Sequence, residues 1–363
     1  MTRKTIWLAV NYSIIVAMLL MSCGPPAEAE KTATDTAVTF ADPNLETAIR
    51  DAINKPAGPI YPLDLAGLTS LSALKRNISD LAGLEYCIDL TEIRLSENQI
   101  SDISALASLT NLTELYLRWN QISDISALAS LTNLTELHLE FNEISDISPL
   151  GSLTNLTILE LTHNKISDIS ALASLTNLTK LVLNENRISD ISPLASLTNL
   201  RSLWLGYNQI SDISVLTSLT NLTELHMEFN EISDISPLGS LTNLTILELT
   251  HNQISNISAL TSLTGLTWIY LRWNQINDIS ALASLTGLTW VYLEWNQISD
   301  ISALASLTNL TKLVLNENRI SDISPLVSLT NLEEVSLDKN PMSSTSINAH
   351  IPQLEERGMK VNW

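Results

Sequence analysis

The segment LTELYLRWNQISDISALASLTN, residues 112–133, decides the fold. Its apolar positions are Leu112, Leu115, Leu117, Ile122, Ile125, Leu128 and Leu131, and Asn120 stands between the two halves. Leu115 and Leu117 alternate with Glu114, Tyr116 and Arg118 at period two, the pattern of a short strand with its leucines turned inward. The remainder returns the chain along the opposite side. Twenty-two residues are too few for a strand, a full helix and two loops, so this return path is expected to be extended segments or single 3₁₀ turns.

Working outward, an Asn recurs every 22 residues without slippage, at Asn98, Asn120, Asn142, Asn164, Asn186, Asn208, Asn230, Asn252, Asn274, Asn296, Asn318 and Asn340. A fixed period signals stacked units that bury their apolar faces only against neighbours. Each Asn is expected to be buried at the turn, its amide donating to and accepting from backbone groups that the turn leaves unpaired. One degenerate unit comes first: Leu71, Ile78, Leu81, Leu84, Cys87 and Leu90 lie 22 residues before Ile93, Ile100, Ile103, Leu106, Leu109 and Leu112. Cys87 therefore takes a core leucine position as an inert buried thiol.

The L-x-x-L-x-L-x-x-N pattern resembles the leucine-rich repeat, and N-x-I-S-D-I-S-x-L-x-x-L-T-N-L resembles the short repeat of bacterial internalins. The resemblance covers residues 40 to 363. The expected fold is an α/β solenoid: a curved leucine-rich-repeat array with a parallel concave β-sheet, an extended or 3₁₀ convex side, a helical N-terminal cap and a helix–strand C-terminal cap. Asp42 is placed to cap a helix that starts at Pro43 and buries Leu45, Ala48, Ile49 and Ala52. That cap, residues 40–70, resembles the internalin one. About 13 units fill 71–342. The C-terminal cap is 343–363, with Ile347, Ile351 and Leu354 at helical spacing, Pro352 as a kink or restart, Gly358 as a stop, and a closing strand from Met359.

Residues 1–22 read as an export signal: Arg3 and Lys4, an apolar run from Ile6 to Met21, then Leu20-Met21-Ser22-Cys23. The end resembles the lipobox of bacterial lipoproteins, which implies that Cys23 is acylated and becomes the mature N-terminus. The alternative is an uncleaved membrane anchor, although the run falls short of the ~20 residues a spanning helix needs. Either way the rest is extracytoplasmic, and 23–39 is expected to be a flexible tether to the membrane. A net charge of −20 excludes a phosphate-tracking surface, so no nucleic acid is expected as a partner.

Information in such an array lies in the outward strand positions, because packing fixes the inward ones. The outward residues and those just beyond each strand include Tyr116, Arg118, Trp119, His138, Phe141, Trp204, Tyr207, His226, Phe229, Trp268, Tyr270, Arg272, Trp273, Trp290, Tyr292 and Trp295. Six of the eight tryptophans thus stand on one face of a chain with only 5% aromatic residues, a composition that suits an interface. The bland alternative is a ladder of rings that merely stiffens the array. The expected function is non-catalytic recognition of a protein ligand, with a carbohydrate as the alternative. No catalytic residue, cofactor or metal is expected. Asp102, Asp124, Asp146, Asp168, Asp190, Asp212, Asp234, Asp278, Asp300 and Asp322 are read as caps of the convex turn, a calcium ladder being the alternative. His138, His163, His226 and His251 form two copied pairs, not one cluster. Gly265 and Gly287 replace the usual turn Asn and are expected to make room beside Trp268 and Trp290, and Arg272 to supply a cation–π or carboxylate contact.

If the lipobox reading holds, metabolic labelling with palmitate in a bacterial host marks the wild-type protein and not Cys23→Ser. An unlabelled wild type contradicts it.

Overall fold

The structure is a computed structural model and describes residues 36–363; Cys23 and the rest of 1–35 lie outside the described residues. Fourteen three-residue strands, β1 (Ser70–Ser72) to β14 (Lys360–Asn362), form one sheet, all parallel and in chain order. The register is the repeat itself: Leu115 of β3 (Glu114–Tyr116) pairs with Leu137 of β4 (Glu136–His138), and Tyr116 with His138. At ~4.8 Å per strand the sheet is roughly 60 Å long. On the convex side the chain returns through 3₁₀ turns such as Ser104–Ser108 and Ser126–Ser130. The solenoid expected from the sequence is therefore the one observed.

The core is a continuous apolar column. Leu112, Leu115, Leu117, Ile122, Leu128 and Leu131 are fully buried, and Ile125 is 1% exposed. Each such side chain contributes about 1.5–3 kcal/mol against exposure, so every unit depends on the next to cover it. Cys87 sits in this column, and burial, with Glu85 adding to it, pushes its thiol up to about 12, which removes it from nucleophilic chemistry near neutral pH.

The Asn ladder ties the units together. Asn120 Oδ1 accepts from Ile100 N–H at 3.0 Å, while its Nδ2 donates to Leu117 O at 2.9 Å and to Leu95 O at 3.1 Å. One amide thus serves its own turn and the turn before it. The same triplet recurs at Asn142, Asn186, Asn252 and on to Asn340. On the convex side, Asp102 and Asp124 Oδ1 accept from the N–H of Ser104 and Ser126 at 2.8 Å. Asn256 makes the same bond to Ser258 at 2.9 Å, so the break in the Asp row preserves what a turn cap requires.

Helix α1 (Pro43–Ile53) closes the first unit. Asp42 caps it through Asn44 and Leu45 N–H, and its second oxygen accepts from Ser79 N–H at 2.7 Å, which fastens the cap to the array. Leu45, Ala48 and Ile49 are buried, but Ala52 is exposed, contrary to the stripe expected for it. At the other end a π-helical turn (Ser346–His350) runs into helix α2 (Ile351–Glu355), with Pro352 in its first turn as a restart. Gly358 at φ +85° then turns the chain into β14.

Asn186→Ala removes a buried amide that accepts from Ile166 and donates to Leu161 and Leu183. It is expected to cost about 1–3 kcal/mol, seen as a lowered thermal midpoint. An unchanged midpoint contradicts the ladder as a structural tie.

Candidate functional site

The residue before each ladder Asn is held in the left-handed region, and at none of these positions is it glycine. Trp119, Phe141, His163, Glu185, Tyr207, Phe229, His251, Trp273 and Trp295 all have φ between 53° and 58°. That conformation costs roughly 1–2 kcal/mol per residue in an L-amino acid. The Asn amide that follows and a cross-unit bond, such as Trp119 N–H to Glu140 O at 2.9 Å, hold it in place. The rim side chains consequently leave the sheet at one angle and one spacing.

Equal spacing at the strand separation stacks the rings. Along the rim, Trp119 lies on Phe141 with centroids 3.8 Å apart and planes 6° apart, and Phe141 lies on His163 at 4.9 Å. Further on, Tyr207, Phe229 and His251 stack at 4.3 and 4.5 Å, His251 reaches Trp273 at 6.2 Å, and Trp273 covers Trp295 at 4.2 Å. On the strands the pairs are Tyr116 with His138, Trp204 with His226, Trp268 with Trp290 and Tyr270 with Tyr292, at 4.1 to 4.7 Å. Every ring expected at the site therefore lies against a neighbouring ring, stacked in each case except Trp204 and His226, whose planes are tilted by 30°, and the stiffening ladder is real. Trp119, Tyr207, Trp273 and Trp295 nevertheless keep 40% to 50% of their surface exposed. Trp268, Tyr270, Trp290 and Tyr292 are half-buried and come together as two stacked pairs on β10 (Trp268–Tyr270) and β11 (Trp290–Tyr292).

A cation closes one end of three of these stacks. The Arg94 guanidinium lies 4.2 Å from the Tyr116 ring centre, Lys312 Nζ 5.9 Å from that of Tyr292, and Lys339 Nζ 5.5 Å from that of Trp295. The sequence reading missed all three, although each lies within two repeat steps of a ring at an equivalent position. Arg272, expected to offer a cation–π or carboxylate contact, takes the second course: it donates to Thr250 Oγ1 at 3.2 Å and pairs with Glu294 at 3.5 Å. Arg118 is exposed and makes no ion pair among the described residues. The glycine expectation fails. A Cβ at Gly265 or Gly287 would meet only the backbone oxygens of the preceding unit, so these glycines do not make room for Trp268 or Trp290.

The concave face also carries partly buried carboxylates, Glu228, Glu248 and Glu294. At Gly206 the Glu228 carboxylate lies over the backbone, where a Cβ would displace it. Burial raises the Glu228 and Glu294 carboxyls and pushes Glu248 up to about 7, even though Thr250 N–H donates to Glu248 Oε1 at 2.8 Å. In the other copy of this sequence, four repeats earlier, the balance reverses. Burial disfavours a charged His138, but the carboxylates of Glu140 and Glu160 outweigh it and raise the imidazole to about 9. His138, with help from Lys180 at 2.6 Å, holds Glu160 at about 2. The histidines do not gather with one another. His138, His163 and His226 face carboxylates two residues or one repeat away, whereas His251 lies between the rings of Phe229 and Trp273.

These features define a leucine-rich-repeat array with an aromatic rim. The pattern described as "Leucine Rich repeats (2 copies)" matches residues 88–130, 132–174, 176–218, 220–262 and 308–350, and "Leucine rich repeat" matches 242–298. The chain belongs to this family and, within it, is internalin-like. An internalin (inlF) from Listeria monocytogenes is 38% identical, with a TM-score of 0.85 over 89% of this chain and 95% of that one. An internalin C2 from the same species is 41% identical, with a TM-score of 0.56 over 58% of this chain and 94% of that one. The functional domain of InlJ, also from Listeria monocytogenes, shares the fold at 22% identity, with a TM-score of 0.67 over 89% of this chain and 81% of that one. No curated protein matches. The internalin-like fold is typically non-catalytic.

A carboxyl raised to about 7 in the fold and about 4.5 outside it contributes stability that is full below pH 4.5 and is lost as pH rises through 7. Glu248→Gln, which stays neutral, should melt with wild type at pH 5 and above it at pH 8. Equal shifts at both pH values would show that Glu248 is an ordinary exposed carboxylate.

Proposed function

We propose that this protein is a non-catalytic recognition module that binds a protein ligand along the concave sheet and its aromatic rim. The observation that carries the reading is the stacking itself. A platform for sugar rings presents an aromatic face, and here every ring has a neighbouring ring against at least one face, with Arg94, Lys312 and Lys339 over the other face of Tyr116, Tyr292 and Trp295. Edges and tips remain open to solvent. Those edges, set among Glu, Arg and Thr side chains, suit the mixed apolar and polar surface of a protein, where Trp, Tyr and Arg supply most of the binding energy. This arrangement favours a protein over the carbohydrate alternative.

In this reading the binding residues are those expected from the sequence, Tyr116, Arg118, Trp119, His138, Phe141, Trp204, Tyr207, His226, Phe229, Trp268, Tyr270, Arg272, Trp273, Trp290, Tyr292 and Trp295. The array is displayed on a bacterial surface through Cys23 and the 23–39 tether, as the export-like N-terminus and the internalin-like fold both support. The same fold supports binding without turnover.

Screening the full chain against surface-protein libraries and glycan arrays separates the two ligand classes. For a protein ligand so found, Trp273→Ala with Trp295→Ala is expected to weaken binding by about 2 kcal/mol or more in calorimetry, with little change in the core. Wild-type affinity in the double variant, or hits confined to glycans, would overturn the proposal.

A further inference from the structure

One cluster on the concave face shares only His138 with the reading above, and its two carboxylates play no part there. His138 at the end of β4, Glu140 two residues on and Glu160 at the end of β5 (Ile158–Glu160) offer one ligand atom each, all within 4.8 Å of one another. His138 Nδ1 lies 3.4 Å from Glu160 Oε2 and 3.9 Å from Glu140 Oε1. Both separations exceed a good N–H···O bond, and one imidazole proton cannot serve two carboxylates well. Glu140 is only 7% exposed, and its Oε2 has no hydrogen-bond partner. A buried unpaired carboxylate oxygen normally has a cation or a donor beside it.

We propose that His138, Glu140 and Glu160 form a three-ligand site for a divalent transition cation of the zinc class, with the remaining coordination position open to the concave face. Tetrahedral coordination with bonds of ~2.1 Å sets ligand atoms about 3.4 Å apart, so the cluster closes onto an ion by small side-chain rotations. One imidazole nitrogen with two carboxylates suits zinc or cobalt better than magnesium or calcium, which take six or more oxygens. The surroundings provide support of the usual kind. His138 Nε2, otherwise unpartnered, faces Glu136 Oε2 at 3.9 Å, and the ring is backed by Tyr116 at 4.5 Å. Lys180 holds the other oxygen of Glu160 at 2.6 Å and opposes the ion's charge, but it is 40% exposed and free to move away.

The location matters for function. His138 and Glu160 also line a cavity of about 270 Å³ with Arg94, Tyr116 and Arg118. An ion there would present its open position where a carboxylate or imidazole of a bound partner could complete it. The second copy of this sequence supplies an internal control. At His226, Glu228 and Glu248 the imidazole turns instead to Glu224, with Nε2 2.9 Å from Oε1, and the three groups do not converge.

Cobalt(II) titrated into the full chain, followed by visible absorption and calorimetry, tests the proposal. The expected result is one equivalent bound with the intense visible bands of four- or five-coordinate cobalt, displaced by zinc and not by magnesium. The bands should vanish in His138→Ala, fall at least tenfold in affinity in Glu140→Gln, and persist in His226→Ala. Absence of such bands in wild type, or their survival in both His138→Ala and Glu140→Gln, would overturn the site and leave the cluster as an imidazolium–carboxylate pair. The outcome is independent of the ligand screen, since it is read without any partner.

Discussion

The constraint on which this molecule rests is the ladder Asn amide, Asn98 to Asn340, that closes twelve of the fourteen strands. Its three hydrogen bonds leave no freedom in the turn: Asn186 accepts from Ile166 and donates to Leu161 and Leu183, so one side chain joins two successive coils. Everything else in the unit tolerates substitution within its class. Leu225 and Met227 fill the same positions as Leu137 and Leu139, and Val291 that of Leu115, because the core asks only for apolar volume. An Asn position asks for a donor and an acceptor in fixed directions, which no apolar side chain supplies.

That clamp also shapes the surface. By fixing the turn it holds the preceding residue at positive φ, and it does so for Trp, Phe, Tyr and His as well as for the glutamates. The rings then project at the strand spacing, close to the separation of stacked aromatics, and fall into register without any contact designed for each pair. Stiffness and recognition are thus not rival explanations of the rim. Stacking consumes the faces and lowers the entropy the side chains lose on binding, and the exposed edges are what a partner meets.

Period, strand, core and caps were all legible in the sequence, because 22-residue columns report packing directly. Cys87 was assigned to the core on that ground alone, and it is buried there. The orientation of rings was not legible: nothing in Trp119 or Phe141 announces a left-handed backbone, since sequence patterns associate that conformation with Gly and Asn. Gly265 and Gly287 misled because three residues along the chain were taken as proximity, although the chain crosses from turn to sheet between them. The His138 cluster was missed for a different reason. Histidines were compared with histidines, whereas the column arithmetic that located the ladder also sets Glu140 and Glu160 beside His138, at two residues and at one repeat.

The central claim is that the exposed aromatic edges of the concave rim are the surface a protein partner covers. Hydroxyl-radical footprinting with the partner bound tests it most directly, because ring oxidation reports side-chain exposure. The account predicts protection of Trp119, Tyr207, Trp273 and Trp295, with Tyr86 and Trp363, similarly exposed in the free protein, oxidised at unchanged rates. Protection of Tyr86 or Trp363 with the four rim residues unchanged would contradict it and move the interface off the concave face.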